Sequence, residues 1–122
     1  MNEIITPAIV EKRLKDLSKE IDDAHRDLID LEADYHTTKA TYEIEMARVR
    51  IDLSQRSAPN GKNYTVGERE DLAILHNAEL HKRMGILEAQ VKAARANTSR
   101  LKIQVDIARS VGTSVRTSMD LT

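Results

Sequence analysis

Four histidines, His25, His36, His76 and His81, are the residues whose chemistry is most easily imagined in this chain, because imidazoles at the right spacing hold metals or move protons. The spacings are wrong for either role. His76 and His81 are five residues apart, which turns them ~140° from each other on a helix, and a shared metal needs them on one face. His25 and His36 share a face but stand eleven residues apart along it. The chain has no cysteine, which excludes a thiolate nucleophile, a thiolate metal ligand and a disulfide framework. Paired carboxylates such as Asp22-Asp23 are plentiful, but a solvated helix face offers no apolar wall to tune them for acid–base work. Gly61-Lys62-Asn63-Tyr64-Thr65-Val66-Gly67 has the residue types of a phosphate loop. It lacks the Lys-Ser/Thr pair after the second glycine, and the segment before it reads as helix rather than strand. The expectation is a protein without catalytic residues, metal ligands or a cofactor site.

The elements that must position these residues are long helices. The chain has 122 residues, a third of them charged, with no Phe, no Trp and three Tyr. Leu, Ile, Val, Ala and Met must therefore bury the surface that aromatic residues usually bury. Thr6-Pro7 is a helix start, a hydroxyl N-cap followed by proline at the first helical position. From there Val10, Leu14, Leu17, Ile21, Ala24, Leu28, Leu31, Tyr35, Thr38 and Tyr42 alternate in steps of four and three. That repeat keeps one seam facing a partner helix. Met46, Val49 and Leu53 continue it after a stutter at Tyr42, where two steps of four follow each other and the supercoil relaxes. One unbroken helix of roughly 70 Å is expected.

Pro59-Asn60-Gly61 marks a turn, and Thr65-Val66-Gly67-Glu68 is a capping box that starts the second helix. Its seam runs Ala73, Asn77, Leu80, Met84, Leu87, Val91, Ala94, Thr98, Leu101, Val105 and Ala108, then Gly112, Val115 and Met119. The reading is a single all-α domain, a long antiparallel helical hairpin of coiled-coil type. Helix 1 is placed at about 7–56, the loop at about 57–64, helix 2 at about 65–111 and a polar C-terminal arm at about 112–122. Folding at residues 59–60 sets residue i opposite about residue 119 − i. Residues 1–53 carry 13 acidic and 8 basic side chains, and residues 81–122 carry 8 basic and 3 acidic, so the two arms attract. The acidic stretch Glu20–Asp34 is expected to face Lys82, Lys92, Arg95 and Arg100, which favours the antiparallel register.

A lone hairpin would leave isoleucines off the seam in water, and contiguous apolar surface marks an interface. The candidate protein interface is Ile29, Ile44, Ile51, Ile86, Ile103, Ile107, Val111 and Val115, with Ile9 and Ile74 beside them. A homo-oligomer is expected, with a four-helix dimer favoured, together with a further protein partner. Lys92, Arg95, Arg100, Lys102, Arg109 and Arg116 form the candidate nucleic-acid contacts. Neutralising carboxylates on the first helix and the lack of stacking aromatics weigh against that use. No apolar run approaches the ~20 residues of a membrane span. Nor does the N-terminus (Met1-Asn2-Glu3-Ile4-Ile5-Thr6-Pro7) have the basic and apolar regions of a secretion signal, so a cytoplasmic protein is expected.

The stretch Gln104-Val105-Asp106-Ile107-Ala108-Arg109-Ser110-Val111-Gly112-Thr113-Ser114-Val115-Arg116, with the helix start Thr65-Val66-Gly67-Glu68-Arg69-Glu70, resembles small two-helix proteins of tailed bacteriophages and prophages. Genes of that kind often lie near early replication and recombination functions. The resemblance implies a viral origin and action in the bacterial host cytoplasm, and it brings no site residues. Three functions fit: an oligomeric adaptor or modulator of a host or phage protein, an accessory nucleic-acid-binding protein in replication or recombination, and a structural component of the virion.

Overall fold

The computed structural model describes residues 4–121, and these are all-helical, without a strand among them. The order is α1 (Pro7–Ser54), α2 (Val66–His76) and α3 (Ala78–Asp120), and α1 packs against α3 as a helical hairpin. The chain divides into two compact units, one of Met1–Ile29 with Lys92–Thr122 and one of Asp30–Val91. Met1, Asn2, Glu3 and Thr122, which belong to the leader and arm readings, lie outside the described residues.

In the first unit the core is Leu17, Ala24 and Leu101, flanked by Ile21, Val105 and Ala108. All six are seam residues. Leu17 is wholly buried, and Thr98 joins the seam by donating its hydroxyl to the Ala94 carbonyl at 3.1 Å. The approach of α3 to α1 is tight at Gly112, the glycine of the seam. A Cβ on Gly112 would lie 2.9 Å from Val10 Cγ1, inside van der Waals contact with a side chain that is stiff at χ1. Arg13 Nη2 reaches across from α1 to donate to Gln104 Oε1 at 3.1 Å.

In the second unit Thr38, Met46, Ala73, Asn77, Leu87 and Val91 are buried. Tyr42 stacks at a tilt on His81, with ring centroids 5.5 Å apart, and Arg50 pairs with Glu70 at 3.3 Å. The turn is built as its residues require. Gly61 N–H donates to Ala58 O at 2.9 Å and Ala58 N–H to Lys62 O at 2.8 Å. Gly61 takes φ 78°, a left-handed conformation that favours glycine. The Asn60 side chain accepts from the Lys62 N–H at 3.0 Å, which stiffens the turn. Thr65 and Glu68 satisfy each other's backbone N–H groups at 3.1 and 3.2 Å, so the capping box is complete.

Three boundaries differ from the sequence expectation. Helix 1 stops at Ser54 rather than about 56, because Gln55 and Arg56 turn back with tighter i→i−3 bonds to Asp52 and Leu53. The second helix is not continuous. At Asn77 the backbone sits at φ −107°, ψ 28°, and the buried side-chain amide donates to Ala73 O at 3.0 Å. The Asn77 backbone N–H still donates to the same carbonyl at 3.1 Å, so Ala73 O is shared, and a side chain bonded back onto its own helix in this way bends it. Third, the helix expected to end at about 111 continues to Asp120, so the polar arm is helical. The hydroxyls of Thr113 and Thr117 donate to carbonyls four residues back, and no proline or competing partner ends the ladder.

Candidate protein interface

Every candidate isoleucine in the interface set stands in the open. Ile86 is the least exposed at 50 % and Ile29 the most at 64 %, with Ile44, Ile51, Ile103 and Ile107 between them. Val111 and Val115 are half-buried. The six isoleucines lie outside the hairpin's core, whereas Val115 belongs to both the seam and the interface set.

The first unit gathers part of the set into one site. Ile107 and Val111 of α3 form an apolar groove with Ile9 of α1 and with Ile5, which precedes it; Arg13 and Gln104 stand on its edge, and its volume is about 380 Å³. A second depression continues from Val111 and Ile5 to Val115, where Ser110, Ser114 and Ser118 line it. Ile86 lies instead in a polar crevice of the second unit with Glu79, Lys82 and Arg83. Ile29, Ile44 and Ile51 are exposed on α1 outside the groove. Ile5 is missed by helical periodicity because it precedes the helix.

The outer face of α3 carries a second repeat that a reading of the seam passes over. Ala93, Ala96, Ile103, Ile107, Ser110 and Ser114, with Arg100 between, follow one another in steps of three and four. Every one of them is exposed. The signal was in the spacing, displaced from the seam by about half a turn of helix.

The cations are arranged differently from the interface residues. Arg95, Lys102, Arg109 and Arg116 are seven residues apart, so they form one row along α3 with a repeat of about 10 Å, and all are exposed. Arg109 and Arg116 share a small crevice with Glu11, and Arg116 also donates to the Gly112 carbonyl at 3.3 Å. Lys92 is exposed on the neighbouring row.

The expected pairing of Arg100 with the acidic stretch of α1 is not formed. Its guanidinium donates to Asn97 on its own helix at 2.9 Å. Two members of that acidic stretch are likewise held within α1, Glu20 by Arg13 at 3.8 Å and Asp23 by Arg26 at 2.8 Å. Neighbours on the same helix are already within reach, so such bonds order less side chain than a pair spanning two helices.

The histidines are dispersed. His36 packs its ring against Tyr35 at 5.3 Å and His81 against Tyr42, while His76 lines a mixed-charge crevice with Glu45, Arg48 and Asp52. Among the described residues no three His, Asp or Glu side chains are grouped to hold a metal ion. No described helix is long and apolar enough to cross a membrane.

No family model matches the chain, and neither a curated protein nor a solved structure matches it.

Proposed function

We propose that this chain is a non-enzymatic, oligomeric coiled-coil interaction protein, an adaptor or modulator that acts by binding another protein. The observation that carries this reading is the groove formed by Ile5, Ile9, Ile107 and Val111, apolar side chains left open to water on a scaffold whose core is already complete without them. Exposed apolar patches of this kind serve association. Self-association into a dimer is the favoured form. A phage origin and action in the bacterial cytoplasm belong to the same proposal and rest on the resemblance of residues 65–70 and 104–116 alone.

The test is affinity purification of the tagged chain from infected cells after nuclease treatment, followed by mass spectrometry. A protein partner is expected that survives nuclease and is lost when Val111 and Val115 are changed to Asp. Recovery unchanged by Val111→Asp/Val115→Asp would remove the groove from the account.

One observation favours a second reading. The row Arg95, Lys102, Arg109 and Arg116 is a regular line of cations, suited to a phosphate backbone. Accessory binding to nucleic acid would show as retention of DNA at ~50 mM salt, steeply lost as salt rises. It would weaken when Arg95, Arg100 and Arg109 are reversed to Glu. Glu11 beside Arg109 opposes this use, so protein association stands first.

A further inference from the structure

We propose that the outer face of α3 is the self-association surface, and that its occupant is α3 of a second copy, running antiparallel and centred on Ile103 and Ile107. This rests on the oligomeric reading above and adds the surface, the partner and the direction to it.

The repeat of the face defines what kind of object covers it. Steps of three and four sustained from Ala93 to Ser114 present a straight stripe only to another helix, as the inner seam does. The distribution of sizes then points to the same sequence reversed. The two isoleucines sit at the middle, the small residues Ala93 and Ala96 on one side and Ser110 and Ser114 on the other. Antiparallel pairing about that middle lays Ile103 on Ile107 of the second copy, Ala96 on its Ser114 and Arg100 on its Ser110. Isoleucine meets isoleucine and Ala96 meets Ser114, Arg100 has only the small Ser110 beneath it, and each contact occurs twice, as a two-fold axis requires. Parallel pairing would instead stack Arg100 on Arg100.

Charge selects the same arrangement. Lys92, Ser99, Asp106, Thr113 and Asp120 form the row beside this face, seven residues apart and all exposed. Reversal brings Lys92 of one copy within about 3 Å, along the axis, of Asp120 of the other. It also leaves each Arg100 about one helical turn from the second copy's Asp106, within reach of a long guanidinium side chain. The two Asp106 carboxylates meet near the axis with an arginine on either side. The corresponding face of α1, with Lys12, Asp16, Lys19, Asp23 and Arg26, offers alternating charge and no apolar contact.

The chain lacks cysteine, so a single introduced thiol carries a spin label at one site. Ser99→Cys and Thr113→Cys lie on the rim, clear of the contact, and Asp120→Cys at its far end gives up only the approach to Lys92. Antiparallel pairing moves like residues apart by about 3 Å for each residue of offset from the centre, twice the helical rise. Ser99 and Thr113 labels should therefore give distances of about 18 and about 24 Å along the axis, and Asp120 labels about 45 Å. Equal distances at all three sites would mean parallel pairing and overturn the proposal. A dimer by light scattering that gives none of these distances would overturn it too, while leaving self-association intact. A monomer at every concentration would defeat both.

Two variants add an independent check. Ile103→Asp/Ile107→Asp should abolish the dimer and keep full helical circular dichroism, since both side chains are exposed in the single chain. Arg100→Glu should weaken the dimer about tenfold, and adding Asp106→Arg should restore it. Failure of that restoration would contradict the antiparallel register.

Discussion

The outer faces of the two helices in the first unit differ more than their inner faces do. Inside, α1 and α3 follow the same repeat of three and four, and Leu17, Ala24 and Leu101 close on each other. Outside, α1 alternates Lys12, Asp16, Lys19, Asp23 and Arg26, whereas α3 shows Ala93, Ala96, Ile103 and Ile107. Alternating charge at helical spacing is self-satisfying in water, as the 2.8 Å contact of Arg26 with Asp23 illustrates. Exposed isoleucine at helical spacing is not. The charged row of α1 from Lys12 to Arg26 therefore needs no partner, whereas Ile103 and Ile107 of α3, like Ile9 and Ile29 elsewhere on α1, are exposed in the single chain.

The largest expected effect lies in the seam that both helices share. Leu17→Ala removes the largest wholly buried side chain among the described residues and should cost about 2–5 kcal/mol in urea unfolding, since the rigid helix pair cannot collapse into the void. A loss below ~1 kcal/mol would mean that the seam is not the main source of stability. The comparison of outer faces is sharpened by a paired experiment. Ile103→Asp/Ile107→Asp should cost the monomer within ~0.5 kcal/mol while reducing molar mass, and Lys19→Ala/Asp23→Ala should change neither by more than that. Equal loss of mass from both pairs would break the comparison.

Smaller effects test how the helices are held. Gly112→Ala improves helix propensity by about 1 kcal/mol but drives a Cβ onto Val10. Overpacking costs about 1–3 kcal/mol, so a net loss of about 1 kcal/mol is expected, measured by thermal or urea unfolding. A gain would show that α1 and α3 separate easily at that end. Thr65→Ala should lose about 1 kcal/mol through the cap in the second unit, with no change in molar mass.

The hairpin was legible because every residue assigned to the seam, apart from Met119 near the helix end, is buried or half-buried. The turn and the capping box were equally legible, since both depend on local chemistry at Asn60-Gly61 and at Thr65 and Glu68. What was not legible came from competition between partners. Asn77 fits the repeat and is buried, yet its side-chain amide shares the Ala73 carbonyl with its own backbone N–H at the point where the helix is interrupted. The small polar residues of 112–120 placed the helix end at about 111, but threonine hydroxyls there are satisfied inside a helix. Arg100 chose Asn97 over a carboxylate on α1 for the same local reason. The groove was half legible: Ile9, Ile107 and Val111 were marked by their position off the seam or beside it. Ile5 joins them only because the chain enters α1 next to the end of α3.

The central claim is that α3 is completed by a second copy, and molar mass by light scattering over a wide concentration range tests it most directly. The account predicts twice the chain mass for the natural sequence and a single chain mass for Ile103→Asp/Ile107→Asp with its helix content unchanged. A natural chain that stays a monomer up to high concentration, or a dimer that survives both aspartates, would contradict it.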